Sequence, residues 1–175
     1  VHFLTTKHSP QQIGRKALGV NLSDLAAMAA RPLAAVVAMA VPQGPTSGEL
    51  ARALLEGMQP LAEEWGSPIV GGDTNVTPGP LTLSVTCFGM AHPNGSLLRS
   101  GARPGDRLLV TGELGGSLRR KHLEFTPRLA EARLLVDRYE IHAAMDISDG
   151  LSLDLSRMAR RSGVGAILDL DHETI

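Results

Sequence analysis

Nine consecutive apolar residues, Leu33 to Val41, lie between Arg31-Pro32 and Pro42-Gln43-Gly44-Pro45. A run of that length is short for a helix and reads as a buried strand. Such a strand constrains its surroundings, because neighbouring elements must cover it. Both flanks supply cover. Upstream, Ile13, Ala17, Leu18, Val20, Leu22, Leu25 and Met28 give a broad apolar surface at helical spacing and predict a helix over residues 11–30. Gly14 and Gly19 weaken it, and Arg31-Pro32 ends it, since the residue before proline is pushed out of helical dihedrals. Downstream, the stripe Leu50, Leu54, Met58, Leu61, Trp65 predicts a second helix. Thr46 and Glu49 have the spacing of a capping box at its start, and Pro60 predicts a kink within it.

The rest of the chain alternates. Val1 to Leu4 reads as the end of a strand, and residues 68–71 as a short strand leading into Gly72-Asp73. Over residues 81–89, Leu81, Leu83, Val85 and Cys87 alternate with Thr82, Ser84 and Thr86, which predicts a half-buried strand. His92-Pro93-Asn94-Gly95 is a turn. The polar connector from Arg99 to Asp106 marks a domain boundary, giving domains 1–102 and 103–175. Beyond it, strands are predicted over 107–111, 143–147 and 166–171, and helices over 127–138 and 148–161. An irregular basic stretch, 114–126, lies between. Ser148 or Asp149 would cap the last helix and Gly163 would stop it. Several strands are amphipathic, so the fold class is α+β with mixed or antiparallel sheets, not a doubly wound parallel sheet.

Composition narrows the function. Of the 175 residues, 43% are hydrophobic and 3% aromatic, so the core is built from Ala, Val, Leu, Ile and Met. An aromatic platform for stacking nucleic-acid bases is not available. The formal net charge of −1, from 17 basic and 18 acidic residues, provides no global field for DNA or RNA. Cys87 is the single cysteine, which excludes an intrachain disulfide and a cysteine-built zinc site. A reducing, cytoplasmic location fits. No run approaches the ~20 apolar residues that span a bilayer, and Val1-His2-Phe3 is not a signal peptide. The start at valine instead of methionine reads as a fragment or an incomplete sequence.

Three acidic stretches carry the chemistry. Asp24 lies in the apolar helical pattern, with Asn21 three residues earlier and so on the same face. A carboxylate there costs free energy unless something pairs with it. Gly71-Gly72-Asp73-Thr74 follows a strand and reads either as a turn closing a hairpin or as a site. In the second case glycine backbone N–H groups hold phosphate, and Asp73 and Thr74 hold metal. It is not a Walker A loop, because no Gly-Lys-Ser/Thr follows. Asp146 and Asp149, in Asp146-Ile147-Ser148-Asp149-Gly150, read either as helix caps or as metal ligands at a helix N-terminus that favours anions. Asp154, one turn on, reads as solvated.

If these stretches converge they require a cation. Magnesium fits, because it uses one or two carboxylates together with waters and phosphates. Arg99 is either solvated or a fork for phosphate oxygens. Arg119, Arg120, Lys121 and His122 read as a solvated basic loop. Trp65 reads as core or as a platform for adenine, and Cys87 as a small hydrophobe.

Taken in order, several segments resemble the thiamine-monophosphate kinase family. They are Val1-His2-Phe3, Lys16-Ala17-Leu18 through Asn21-Leu22-Ser23-Asp24-Leu25-Ala26-Ala27-Met28, Gly71-Gly72-Asp73-Thr74, Arg99-Ser100-Gly101-Ala102, Pro104-Gly105-Asp106, Val110-Thr111-Gly112 and Met145-Asp146-Ile147-Ser148-Asp149-Gly150-Leu151. That family belongs to the ATP-binding superfamily that includes aminoimidazole ribonucleotide synthetase and selenophosphate synthetase.

The resemblance implies ATP- and magnesium-dependent phosphorylation of thiamine monophosphate to thiamine diphosphate. It also implies two α+β domains, the C-terminal one incomplete here, and a homodimer formed through the N-terminal sheet. It makes Asp24, Asp73, Asp146 and Asp149 metal ligands, Gly72, Asp73, Arg99 and Ser148 ATP contacts, and His2 a substrate contact. An acidic segment ahead of the Val-His-Phe match and a C-terminal Gly-Gly-Glu-Asp-like segment of that family have no counterpart here. Met28-Ala29-Ala30 carries alanine where the family commonly places glycine.

Overall fold

The apolar run becomes the middle strand of a three-stranded mixed sheet. In a computed structural model describing residues 3–169, β1 (Arg31–Pro42) pairs in parallel with β2 (Ile69–Thr77) and antiparallel with β3 (Thr82–Met90), in the order β2-β1-β3. The expected α+β class with a mixed sheet is what forms. Ala35, Val37, Met39 and Val41 are buried beneath α1 (Pro10–Ala27) and α2 (Ser47–Glu64), with Leu83, Val85 and Cys87 of β3 on the same side. The strand is not buried on both faces, however. Ala34, Val36, Ala38 and Ala40 point the other way, beside exposed Thr82, Ser84, Thr86 and Phe88. Among the described residues no helix packs extensively on that face.

Glycines set how closely the elements approach. A Cβ on Gly14 would lie 2.0 Å from the Leu54 carbonyl oxygen, and one on Gly57 would lie 2.0 Å from that of Gln11. Helices α1 and α2 therefore cross with backbones in direct contact, and Gly14, which lowers helix propensity, is what permits it.

The ends of the helices are made locally. Ser9 and Gln12 form a reciprocal capping box at α1, at 3.1 and 3.2 Å, with Pro10 in the first turn. The Thr46–Glu49 box does not form: Thr46 makes no side-chain cap, and Ser47 Oγ donates to the Pro42 carbonyl at 2.7 Å. Helix α1 also stops before Arg31-Pro32. The Ala30 and Ala29 N–H groups bond the carbonyls of Leu25 and Ala26, each at 2.9 Å, which is a Schellman ending. Ala29 sits at its left-handed position with φ 53°, the one positive-φ residue other than glycine among those described.

Beyond β3 the chain is helical with irregular links. Residues 117–124 form a π-turn (Ser117–Lys121) running into α3 (His122–Glu124). This segment docks on α1 through Gln12 Nε2 to Glu124 Oε1 at 3.3 Å, and through Arg15 to the Phe125 carbonyl at 3.2 Å. Helix α4 (Leu129–Arg138) forms within the expected range. His92, buried at the end of the sheet, holds it: His92 Nδ1 accepts from the Asn94 N–H, so Nε2 donates to Asp137 at 2.9 Å. Helix α5 (Leu151–Ser162) ends at a left-handed Gly163, as expected.

Four strand expectations fail. Phe3 and Leu4 are not in a strand, while Val1 and His2 lie outside the described residues. Residues 107–111, 143–147 and 166–169 are not strands either, and 170 and 171 fall outside the described range. A strand exists through its ladder, and these apolar segments form none with described backbone, the single bond from the Ala144 N–H to the Leu98 carbonyl notwithstanding. The segment 71–74 errs in the opposite direction: it is not a turn but the middle of β2.

Candidate active site

The connector after β3 brings distant parts of the sequence together. The Leu97 N–H donates to the Met28 carbonyl at the end of α1 at 3.2 Å, and the Ala144 N–H donates to the Leu98 carbonyl at 2.9 Å. Ser162 Oγ, at the end of α5, donates to the Arg99 carbonyl at 3.4 Å and accepts from the Ala102 N–H at 3.2 Å. The last turn of α1, the connector and the segment leading to Asp146 thus meet.

The electrostatics at Asp24 record this meeting. Its carboxyl is held above the ordinary aspartate range, first by partial desolvation and then by the negative charge of Asp146, with Arg99 acting in the opposite direction. Two carboxylates and an arginine, widely separated in sequence, therefore share one electrostatic neighbourhood. The same desolvation and the Asp24 charge push the Cys87 thiol up to about 11, so Cys87 is a protonated, half-buried side chain and not a nucleophile. Asn21 shares the Asp24 face but is occupied, donating from Nδ2 to the Ala17 carbonyl at 2.8 Å. Trp65 packs against the core beneath the sheet.

The acidic stretch at residues 146–150 is built around a residue misread as solvated. Asp154 is 2% exposed. Its Oδ2 accepts from the backbone N–H groups of Ser148, Asp149 and Gly150 at 3.0, 2.9 and 3.2 Å. This carboxylate ties down the N–H groups of the loop that leads into α5, the last of them on the N-cap residue Gly150; neither Ser148 nor Asp149 caps the helix, which begins at Leu151. Ser148 Oγ donates to Asp146 Oδ2 at 2.6 Å. Arg157, one turn beyond Asp154, bonds Asp154 Oδ1 at 2.9 Å and also pairs with Asp149. The readable signal was an aspartate in the first turn of a helix after a glycine, where the helix field favours a carboxylate.

Asp73 stands apart from these groups. It pairs in register with Ala38, which places it on the uncovered face of the sheet, and it accepts from Asn75 Nδ2 at 2.6 Å. Gly72 is needed by the sheet itself: its φ is 152°, and a Cβ there would lie 1.8 Å from the Val37 carbonyl oxygen. His2 lies outside the described residues.

Among the described residues no three His, Cys, Asp or Glu side chains gather into a ready metal cage. The Asp24–Asp146 pair still fits magnesium by donor type. It offers hard oxygen ligands whose mutual repulsion a dication relieves, and it leaves positions for phosphate and water.

The fold is that of a known class. The AIR synthase related protein family matches in two parts, its N-terminal domain over residues 1–91 and its C-terminal domain over residues 103–175, and the chain belongs to that family. Within it, the chain is similar to thiamine-monophosphate kinases. It is 43% identical to the one from Rhodopirellula baltica over 98% of this chain and 53% of that protein. The solved thiamine-monophosphate kinase from Stenotrophomonas maltophilia K279a superposes with a TM-score of 0.82 at 36% identity, over 93% of this chain and 57% of that one. A structure of AaThiL complexed with AMPPCP and TMP also superposes with a TM-score of 0.82, at 29% identity, over 93% of this chain and 57% of that one. The chain spans about half the length of the curated relatives it matches. Among the described residues no helix is long and apolar enough to cross a membrane.

Proposed function

We propose that this chain takes part in the magnesium- and ATP-dependent phosphorylation of thiamine monophosphate to thiamine diphosphate. The observation that carries the reading is the meeting of Asp24, Asp146 and Arg99, in a chain so similar to thiamine-monophosphate kinases. Asp24 and Asp146 would hold magnesium, with Asp149 beside them. Bound there, the ion would neutralise phosphate charge. Arg99 would pair with phosphate oxygens, and Ser148 would contact the nucleotide. Gly72 and Asp73 as phosphate and metal contacts, and His2 as a substrate contact, rest on the resemblance alone. The accepting group is a phosphate, already ionised near neutral pH, so no general base is needed. The protein's task is in-line positioning and charge neutralisation.

The uncovered sheet face, with half-exposed Phe88 beside Val36, Ala38 and Thr86, supports a homodimer formed through the N-terminal sheet. A boundary between domains 1–102 and 103–175 and a cytoplasmic location belong to the same reading.

The test is chromatographic detection of thiamine diphosphate from magnesium-ATP and thiamine monophosphate. Product is expected, and Asp24→Asn and Asp146→Asn should each lower its rate about 100-fold or more, as loss of charge stabilisation does. Undiminished product from both variants would overturn the assignment. Binding of magnesium-ATP with no product would leave a nucleotide-binding module in place of a kinase.

A further inference from the structure

We infer that Arg157 is an internal counter-cation for Asp149, one that competes with a divalent metal ion for that carboxylate. The inference rests on the metal reading above and adds a residue that controls it. Buried Asp154 fixes both partners. Through Oδ2 it holds the backbone that carries Asp149, and through Oδ1 it holds Arg157 Nη1, at 2.9 Å. The same nitrogen reaches Asp149 Oδ2. The guanidinium is therefore pre-positioned on one of the two Asp149 oxygens open to a metal. An oxygen bonded to the guanidinium cannot direct the same lone pair at a cation.

The pair is open to exchange. Asp149 and Arg157 side chains are 51% and 43% exposed, so water screens their attraction, whereas Asp154 at 2% stays in place. When a dication arrives, Arg157 can leave Asp149 and remain tethered to Asp154. The freed donors then lie beside the metal, facing whatever anion the metal brings. In the absence of metal the arginine neutralises the Asp149 carboxylate.

Calorimetric titration of the 175-residue chain with Mn2+ alone tests this without any turnover. Arg157→Gln should bind Mn2+ about threefold to tenfold more tightly than the parent, the scale set by loss of one partly screened competing charge. Arg157→Lys, which keeps a cation, should fall nearer the parent, and Asp149→Asn should bind more weakly. If Asp149→Asn weakens binding but Arg157→Gln leaves it unchanged or weaker, the counter-cation role is overturned and the metal site stands. If Asp24→Asn, Asp146→Asn and Asp149→Asn all leave Mn2+ binding unaltered, the metal reading fails and the inference with it. Thermal melts of each variant separate these outcomes from unfolding.

Discussion

Residues 10–90 enclose a continuous apolar core on one face of the sheet, while residues 103–169 bury few of their apolar side chains. Leu18, Leu22, Leu54, Met58 and Leu61 are fully enclosed, yet Leu109 is 65% exposed and Ile167 is 96% exposed. Leucine content does not separate the two regions, since both are rich in it. Partners do. In the first region two helices touch at glycines and lie together on one face of a sheet. In the second, α4 and α5 have no sheet of their own among the described residues, so the apolar segments that would form one stay unpaired. A hydrophobic pattern states which side of an element seeks cover, but not whether cover is present.

The sharpest way to break the contrast is to add one methyl group to each region. Gly14→Ala should destabilise the protein by about 3 kcal/mol or more, because its Cβ would meet backbone that cannot yield as a side chain does. Gly165→Ala, with open space around it, should change stability by less than about 0.5 kcal/mol. Urea denaturation reads both, and equal effects would remove the distinction.

A smaller effect of opposite sign is expected at the end of α1. Ala29→Gly should stabilise by about 0.5–1 kcal/mol, since glycine accepts the left-handed dihedrals that alanine bears at a cost, less the packing of one buried methyl. A lower melting temperature in the variant would show that the methyl outweighs the strain.

The smallest effect lies in the second region and is a trend with pH. His142 bonds Asp106 through Nδ1 at 2.8 Å and Glu140 through Nε2 at 3.1 Å. These partners hold its pKa above the ordinary histidine value, and Asp106 is held below the ordinary aspartate value, first by the Arg103 N–H and then by His142. The histidine contribution is complete below its unfolded value of about 6.5 and is lost as pH rises through the higher folded value. The Asp106 contribution is present above about pH 3.8 and is lost as pH falls through its lower folded value. His142→Gln should therefore cost more stability at about pH 5.5 than at about pH 8.5. A cost that grew with pH would exclude the clasp.

Much of this was legible residue by residue. Asp24 and Asp146 stood out because each interrupts an apolar pattern. Asp154 did not stand out. Its burial depends on the loop of residues 148–150 curling over it, and a surface aspartate has the same letter and spacing. Arg157 was hidden for the same reason. The segment 71–74 has turn composition, yet Gly72 serves the approach of β2 to β1.

The sequence by itself determined what near neighbours settle. These include the span of β1, the stripes of α1 and α2, the stop at Gly163, and a mixed α+β class in place of parallel layers. Such features arise from dihedral preference and periodicity within a few residues. Tertiary structure alone decided that the second face of the sheet stays open, that Gly14 meets Leu54, and that three predicted strands after the connector remain unpaired. It also decided that Asp24 lies near Asp146 while Asp73 stands on the far face. Each of those outcomes depends on which distant backbone or charge arrives alongside, and short-range pattern carries no information about that.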